Sequence, residues 1–432
     1  MNRFRYLNGI DWVLTGLHHS IRQTSGLGNW SQLALELDGK LDIEHFRAAV
    51  QRYASAFPVL QGRAVRGWQL APVWKMPVKK KQALVSVEKQ ILPDDASFEA
   101  ITEKLGQCVA VSPGTPGRYI GFNAIYTAQK TFLAFRFDHR LFDARGAELF
   151  IQGLIRYLDD GTAEPPPTFQ IPPEKSDLRP WIKKFKSGQQ VVRLLHRQQE
   201  ATPFQLESRI SNPAFRFTLI PLNEPESVAL INRAYDQAGY LMLTPWLAER
   251  MTHALNTLLE KEGRPPGGYV IPCSTDLRAD TQKEMFFNHA SFIYLCRPAG
   301  EGADWPKRFS RQFFEQVQQG MPCHFENAWK LARIIPAPLF GKLLRGPLKS
   351  FAGTFSMASV GDGLSAIESV AGLTVRNAFH MPMLPPAPGL GFFANTFGGR
   401  LNLCLTSTAG VLSDKEHTEL IGLLKRELLS LS

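Results

Sequence analysis

The sequence predicts an α/β fold built in two halves. Residues 32–38 (QLALELD) place leucine at every second position, as in a strand with one buried face, whereas residues 42–57 carry apolar side chains at helical spacing. Such strand-type and helix-type patterns are mixed along the whole chain. The proline-dense stretch 164–180 shows neither period and is predicted to be a linker or crossover between the halves.

The first half contains the clearest local signals. Asp42 is a suitable N-cap for a helix that Pro58 ends, because its carboxylate can accept hydrogen bonds from the first backbone amides of the helix. Strand patterns follow at 118–126 and 131–138, and a helix is predicted over 144–158.

The second half is predicted to begin with a strand at 214–220 and a helix near 225–238. Thr244 followed by Pro245 predicts the start of another helix, over 245–261, since proline is favoured in the first turn. The remaining predicted elements are strands at 268–274, 290–296, 353–359, 372–379, 390–397 and 400–406, helices around 306–319 and 324–334, and a closing helix whose capping box is Ser413 with Glu416.

The composition is that of a globular enzyme rather than a disordered or membrane-spanning chain. Hydrophobic residues make up 44% and charged residues 20% of the 432 positions. No stretch approaches the roughly 18 uninterrupted apolar residues of a spanning helix. The first residues contain no small-residue cleavage site, so we expect no signal peptide.

Cysteine usage indicates a reducing, cytoplasmic location. The five cysteines are odd in number, widely spaced and without a CxxC pair, which argues against a disulfide scaffold or a structural zinc site. All five lie in or beside apolar runs, so buried, unreactive thiols are predicted rather than a cysteine nucleophile. We also find no glycine-rich phosphate loop and no metal-ligand motif, and expect no bound nucleotide or metal. The cysteines are Cys108, Cys273, Cys296, Cys323 and Cys404.

The chain is basic, with 49 Lys and Arg against 39 Asp and Glu and a net charge of +10. Such a charge attracts polyanions, including nucleic acid, anionic membranes, phosphorylated cofactors and acidic proteins. The lysine clusters are short and are not interleaved with aromatic residues, and no DNA- or RNA-reading motif is present. We therefore expect no nucleic-acid partner, and a simple solvated basic surface is the alternative to a specific anionic ligand.

The segment with the strongest chemical signal is 132–150 (FLAFRFDHRLFDARGAELF). Phe135 and Phe137 share one face of the predicted strand, His139 continues that face as the strand ends, and Asp143 follows where the next helix begins. A histidine delivered into an apolar setting suits a general base. The alternative is a histidine that hydrogen-bonds the backbone, with Asp143 as an ordinary N-cap.

His139-Arg-Leu-Phe-Asp143 resembles the HxxxD signature of the chloramphenicol-acetyltransferase-like superfamily, which includes condensation domains of nonribosomal peptide synthetases and plant HxxxD acyltransferases. Residues 33–63 resemble the opening strand, turn and helix of that family. The segment 272–278 (PCSTDLR), Asn288 in FFNHASF and the C-terminal hairpin PPAPGLGFFANTFGGRLNLCL resemble later elements in the same order. The resemblance covers nearly the whole chain.

The resemblance implies two chloramphenicol-acetyltransferase-like subdomains, each a mixed sheet flanked by helices, over 1–175 and 195–432. A crossover over 176–194 would join them, and an active-site tunnel with His139 at its middle would run between them. It also implies that the Asp143 carboxylate pairs with Arg278 and thereby fixes the loop that holds His139. The alternative for Arg278 is a surface position.

The implied function is transfer of an acyl group from a thioester to a small-molecule amine or alcohol, with His139 as general base. The acyl donor is expected to be a coenzyme A ester or an acyl group on a phosphopantetheinyl carrier protein, with no permanently bound cofactor. Two alternatives from other classes stay open at this point. One is a catalytically silent condensation-like scaffold that binds a carrier protein, and the other is a polyanion-binding protein.

Several positions depart from the family pattern. Condensation domains carry HHxxxDG, whereas this chain has Asp138 at the first position and Ala144 at the last. These departures bear on substrate positioning and keep the scaffold alternative open. Asp138, Asn288 and Ser359 are predicted to lie along the substrate channel. The plant DFGWG segment has no counterpart, and TFSMASVGD occupies roughly its place.

The positions of two further groups of basic residues in the chain predict a role for each group. The pair His18-His19 has no Asp four residues later, and a structural or channel-lining role is predicted for it. Lys183, Lys184 and Lys186, just after the proline-dense stretch, are predicted to attract the anionic acyl donor at the tunnel entrance. A solvated basic helix without a partner is the alternative.

Overall fold

The computed structural model describes residues 4–66, 71–77, 82–110, 117–160, 179–198, 215–264, 267–278, 284–299, 304–346, 348, 352–384 and 388–429. Most of the predicted linker at 164–180, with the boundary at residue 175, lies outside these ranges. Within them, no helix is both long and apolar enough to cross a membrane.

Strands and helices are mixed throughout the chain, as predicted. The first half contains β1 (Phe4–Tyr6), α1 (Gly9–Ser25), β2 (Trp30–Asp38), α2 (Ile43–Ser55), β3 (Arg63–Arg66), β4 (Pro72–Lys75), β5 (Val85–Ile91), α3 (Phe98–Val109), β6 (Ile120–Tyr126), β7 (Lys130–Asp138), α4 (Ala144–Asp160) and α5 (Arg179–Gln198). The second half contains β8 (Phe215–Pro221), α6 (Glu224–Ala238), α7 (Leu243–Lys261), β9 (Tyr269–Asp276), β10 (Ala290–Arg297), α8 (Trp305–Gln318), α9 (Met321–Ala332), α10 (Ala337–Arg345), β11 (Ser356–Ser359), β12 (Ser369–Val370), β13 (Leu373–Pro382), β14 (Leu390–Phe397), β15 (Arg400–Thr408) and α11 (Asp414–Leu429).

The described strands form two large sheets and one small one. The first large sheet has the strand order β12-β13-β2-β7-β6-β5, and the second has the order β10-β9-β11-β14-β15-β8. Strands β1, β4 and β3 form a separate three-stranded sheet. Both large sheets are mixed, since β5 pairs in parallel with β6 and β11 pairs in parallel with β14, whereas most other pairs are antiparallel. The predicted fold class is confirmed.

Strand β13 joins the two halves of the chain. It belongs to the second half in sequence but pairs antiparallel with β2, so that His380 lies opposite Leu33 and Pro382 lies opposite Ser31. The predicted range 195–432 therefore includes two strands, β12 and β13, that belong to the first sheet. The hydrogen-bonded ladder makes the halves structurally dependent on each other.

The cores explain why β2 and β7 are buried on both faces. Leu33, Leu35 and Phe135 pack into the core beneath α2 and α4, where the Phe135 ring stacks on Phe150 with 5.2 Å between ring centroids. The opposite faces of the two strands, with Ala34 among them, form a separate core that includes Phe393 of the second sheet. The alternating leucines of β2 predict that only one face of this strand is buried. That prediction is wrong because the second sheet covers the other face.

Local signals explain some helix boundaries and miss others. Ser413 and Glu416 form the predicted capping box, with hydrogen bonds in both directions. Thr244 is not the predicted N-cap, since α7 already begins at Leu243 and its N-cap residue Met242 makes no side-chain hydrogen bond. The sequence patterns did not predict α1, α3, α10 or the helix α5, which occupies most of the predicted crossover 176–194.

Candidate active site

A cavity of about 400 Å³ lies between the two large sheets. Its walls come from β2, β7 and β13 of the first sheet, from β9, β11 and β14 of the second, and from the start of α4. His139, Asp143, Arg278 and Ser359 are among the lining residues. Residues as far apart in the chain as Ser31 and Phe393 therefore meet at one site.

His139 is the first residue after β7 and is held at both its backbone and its ring. Its backbone amide donates a hydrogen bond to the Asn29 carbonyl oxygen at 2.9 Å. Its ring Nδ1 lies 3.2 Å from Oδ1 of Asn288. The ring is half-buried and lines the cavity, with Phe137 packed edge-on against it.

Asn288 is completely buried and can adopt only one amide orientation. Its Nδ2 donates to the His139 carbonyl oxygen at 3.0 Å and to Oδ1 of Asp11 at 3.3 Å. The reversed amide would place its oxygen against a carboxylate and a carbonyl oxygen. Oδ1 therefore faces His139, and because it can only accept, Nδ1 of His139 must carry the proton. In the neutral ring this leaves Nε2 with a free lone pair.

Asp11 on α1 holds Asn288 in place, and the sequence analysis missed it. Its Oδ1 also accepts a hydrogen bond from the backbone amide of Asn288 at 3.0 Å. Its Oδ2 accepts from the backbone amide of Asn8 and from Nη1 of the buried Arg5, both at 3.0 Å. The local signal was the pattern Asn8-x-x-Asp11, which forms the capping box of α1.

The backbone before Asn288 is strained. Phe287 has a φ of +70°, a left-handed conformation that costs a bulky residue about 1–3 kcal/mol. Its ring is completely buried, and the Arg5 guanidinium lies 3.6 Å above the ring centroid. This packing stabilises the turn that presents both the backbone and the side chain of Asn288 to Asp11.

The carboxylate of Asp143 is saturated with hydrogen-bond donors. Its Oδ1 accepts from Nη2 of Arg278 and from the backbone amide of Gly146, both at 2.8 Å, and its Oδ2 accepts from the backbone amide of His289 at 2.8 Å. Asp143 therefore caps α4 and also forms the ion pair with Arg278. The two side chains are only 7% and 5% exposed, so Arg278 is not a surface residue.

Arg278 is held by partners on two sides. It donates to the backbone oxygen of Glu284 and to Oδ1 of Asp276 as well as to Asp143. Burial opposes its charge, but the two nearby carboxylates outweigh burial and raise the pKa of Arg278 above its ordinary value. Arg278 therefore stays positively charged beside the Asp143 carboxylate.

Condensation domains have glycine directly after the Asp of their motif, whereas this chain has Ala144 there and its nearest glycine at Gly146. A Cβ atom at this position would lie 2.3 Å from the backbone oxygen of Met285. The close approach brings the segment before Asn288 against the start of α4. Ala144, at the position where condensation domains have glycine, lines the cavity instead.

Asp138 does not lie where it was predicted, because side chains alternate along a strand. Phe137 and His139 face the cavity, whereas Asp138 points away and is 1% exposed. Its carboxylate accepts hydrogen bonds from the backbone amide and guanidinium of Arg140. Burial alone would raise the pKa of Asp138, but the charge and hydrogen bonds of Arg140 outweigh burial and lower that pKa below its ordinary value.

His18 supports the loop that holds His139 through a contact with Asn29. Its Nδ1 accepts a hydrogen bond from the backbone amide of Asn29, whose carbonyl oxygen in turn holds His139. Burial and the neighbouring Arg140 lower the pKa of His18 to about 3, so the ring stays neutral. Of the two roles predicted for His18, the structural one matches its position.

None of the five cysteines is among the residues that line the cavity. Burial raises the pKa of Cys108 to about 11 and that of Cys404 to about 12. The prediction that all five are buried is wrong for Cys323, which is exposed on α9.

The predicted lysine cluster is divided between two faces of α5. Lys183 and Lys186 are exposed, but Lys184 is 8% exposed, because the helical period places it with Ser187 and Val191 on the buried face of α5. Ser187 on that face hydrogen-bonds His324 of α9 at 3.0 Å. Of the α5 residues whose side chains the structure describes, 182–194, none is among those that line the cavity.

The Asp143–Arg278 pair gives a stability prediction. Removing one partner of a buried ion pair leaves the other charge uncompensated, at a cost of about 3–5 kcal/mol. Asp143→Ala should lower the free energy of unfolding by about that amount, measured by urea denaturation. In a double mutant with Arg278→Ala the loss should be smaller than the sum of the two single losses. Strictly additive losses would contradict the coupling.

Comparison with known proteins supports the fold. The chain resembles the trichothecene 15-O-acetyltransferase from Fusarium sporotrichioides at 14% identity and a TM-score of 0.67, over 99% of this chain and 94% of that one. It resembles the first condensation domain of the calcium-dependent antibiotic synthetase, solved with a substrate analogue, at 14% identity and a TM-score of 0.66, over 100% and 97%.

A third similar structure is a mutant starter condensation domain of rhizomide synthetase with bound C8-CoA, at 13% identity and a TM-score of 0.64, over 99% and 96%. No protein-family model matches the sequence, and no curated protein matches it. At these identities the likeness establishes the architecture: the chain has the two-sheet fold shared by condensation domains and chloramphenicol-acetyltransferase-like acetyltransferases.

Proposed function

We propose that this protein transfers an acyl group from a thioester to a small-molecule amine or alcohol, with His139 as the general base. The observation that carries the proposal is the hydrogen bond from Nδ1 of His139 to Asn288, which leaves Nε2 as a proton acceptor in a ring that lines the cavity. The fold supports it, because the similar structures include an acetyltransferase and condensation domains.

The chemistry needs only groups that the cavity supplies. Nε2 of His139 removes the proton from the acceptor's nitrogen or oxygen as that atom attacks the thioester carbonyl. The carbon–sulfur bond then breaks, and Nε2 returns the proton to the departing thiolate. General-base catalysis of this kind contributes about 10²–10⁴-fold. Alignment of two bound substrates provides the rest of the rate enhancement.

The acyl donor is proposed to be a coenzyme A ester or an acylated phosphopantetheinyl carrier protein. The starter condensation domain of similar fold was solved with C8-CoA, which supports this thioester class. The net charge of +10 suits either anionic donor. Lys183 and Lys186 are exposed beside Ile182 and Phe185, which are both 60% exposed. Basic and apolar side chains together favour a protein surface as the partner of α5.

The departures from the HHxxxDG pattern do not disturb the surroundings of His139. Asp138 forms its own ion pair with Arg140, and Gly146 supplies the close approach next to the motif. A silent scaffold would have no need for the amide that fixes the His139 tautomer. The intact hydrogen-bond chain from Asp11 through Asn288 therefore favours an enzyme over the scaffold alternative.

The first prediction tests the base. His139→Ala should lower the rate of thiol release from acetyl-CoA, octanoyl-CoA or an acylated carrier protein by at least about 100-fold, because no base is left to remove the proton from the attacking amine or alcohol. His253→Ala, at an exposed histidine of α7, is the matched control and should retain full activity. Unchanged turnover by folded His139→Ala protein would refute the mechanism. Carrier binding by wild-type protein that releases no thiol from any donor would support the scaffold.

The second prediction tests the tautomer. Asn288→Ala removes the partner of Nδ1, and we expect kcat to fall by about 10- to 100-fold with little change in the KM for the thioester. In the His139→Ala background the same change should have almost no further effect, since there is no ring left to orient. Equal losses in both backgrounds would show that Asn288 acts through folding alone.

The third prediction tests the entrance for the acyl donor. Changing Lys183 and Lys186 to Glu should raise the KM for the acyl donor, most strongly at low ionic strength, and leave kcat nearly unchanged. Lys40→Glu with Lys425→Glu, at two other exposed lysines, makes the same charge change elsewhere and is the control. If both double variants have the same KM at low salt, α5 is a solvated basic helix and the donor enters at another surface.

A further inference from the structure

The cavity contains a second histidine, which the sequence analysis did not identify. His380 lies on β13 and lines the same cavity as His139. Through the register of β13, β2 and β7, His380 lies across from Phe135, four residues before His139. Two strand spacings and four residues of strand place the two Cα atoms roughly 17 Å apart on the same face. The two imidazoles therefore mark two separate positions along one cavity.

His380 is held by a carboxylate that is completely inaccessible to solvent. Its Nε2 lies 3.0 Å from Oε1 of Glu148 on α4, and Oε2 of Glu148 accepts a hydrogen bond from Nη1 of Arg145 at 2.9 Å. We call these three residues the His380 site. Because Glu148 accepts on both oxygens, Nε2 of His380 carries a proton. In the neutral ring, Nδ1 is then a hydrogen-bond acceptor. Among the described residues, Nδ1 has no partner.

The arrangement is costly if it serves stability alone. A carboxylate buried against an imidazole loses its hydration, and apolar residues of similar size often contribute more to folding. A polar nitrogen without a partner in a largely apolar cavity adds to that cost. Gly363 approaches the site closely, since a Cβ at this position would lie 2.0 Å from both Arg145 and Glu148. This geometry points to a ligand group that completes the hydrogen bonds.

The charge of the cavity wall selects the chemistry of that group. The lining contains three carboxylates, from Asp143, Asp276 and Asp362, against two guanidinium groups, from Arg145 and Arg278. Glu148 adds a further negative charge directly behind His380. Although the whole protein has a net charge of +10, this wall is negative and disfavours an anionic substrate group.

We infer that His380 binds the acceptor substrate through a second hydroxyl or amino group, which donates a hydrogen bond to Nδ1 while the nucleophile lies at His139. The acceptor would thus be difunctional, such as an amino alcohol, a diol or a diamine, and not an amino acid held by its carboxylate. The inference rests on the proposed acyl transfer and names its substrate class. His380 is a specificity residue here and takes no part in the chemical step.

The test uses three six-carbon acceptors with octanoyl-CoA as the acyl donor. Aminohexanol carries an amine and a terminal hydroxyl, hexylamine has the amine alone, and aminohexanoate has a terminal carboxylate. For the wild-type protein we expect aminohexanol to have an acceptor KM about 3- to 10-fold below that of hexylamine, the effect of one hydrogen bond. Aminohexanoate should be no better than hexylamine. In His380→Leu protein the preference for aminohexanol should disappear, with the KM for octanoyl-CoA unchanged.

A second variant changes the tautomer rather than the ring. In Glu148→Gln protein, an amide nitrogen facing the Arg145 guanidinium would place two donors together, so we expect the amide oxygen to face Arg145 and the amide nitrogen to donate to Nε2 of His380. Nδ1 then carries the proton, and the preference should shift from aminohexanol towards aminohexanoate. Glu249→Gln, at a buried carboxylate beside Arg250 in the second core, is the matched control and should keep the wild-type order. A purely structural role of Glu148 would not reverse an order of substrates.

The outcomes separate this inference from the proposed function. Wild-type acyl transfer with no difference between aminohexanol and hexylamine overturns the inference and leaves the function standing. If no acceptor is acylated, acyl transfer fails, and the inference is judged by the thermal shifts that the three amines produce in wild-type and Glu148→Gln protein. Equal shifts then overturn it, and a shift that follows the predicted orders supports it. Should His380→Leu not fold, the Glu148→Gln result decides.

Discussion

The carboxylate of Asp143 joins three segments of the chain that are far apart in sequence. It caps α4 through Gly146, accepts from Arg278 after β9 and accepts from the backbone of His289 before β10. A buried carboxylate with fewer donors would retain an uncompensated desolvation cost, so the three contacts must form together. The position of Asn288 follows from this constraint, because it directly precedes His289, and the orientation of the His139 ring follows from Asn288.

This arrangement explains how much of the site was predictable. The HxxxD segment is local, and its strand and helix patterns placed His139 and Asp143 correctly at the end of β7 and the start of α4. Arg278 and Asn288 came only from the family resemblance, since nothing local connects them with His139. Asp11 was missed because its role depends on a contact across 277 residues. Its one local signal, the capping box with Asn8, indicates a helix start and not a site.

The fold was predictable in class and less so in connectivity. Periodicity identified most of the strands of both sheets, because the buried positions of a strand alternate and carry apolar residues. It could not show that β13 leaves its own half to pair with β2, since a strand's hydrophobic pattern does not specify its partner. The pairing of β13 with β2 places His380 opposite Leu33, where it lines the cavity. The sequence alone therefore could not bring His380, the residue that we assign to acceptor binding, next to His139.

The partner of His139 is a neutral amide, and this choice fits the chemistry proposed. A carboxylate at Nδ1, as in serine hydrolases, would stabilise the imidazolium that forms when the ring takes up a proton during the reaction. A thioester is already activated, so a correctly oriented base whose Nε2 faces the substrate is sufficient. Here the carboxylate of Asp11 does not contact the His139 ring. It binds Asn288 and orients that side chain instead. His380 has the opposite arrangement, with Glu148 directly on its ring. The two histidines of one cavity thus differ in the group behind them, which matches a division between proton transfer at His139 and substrate binding at His380.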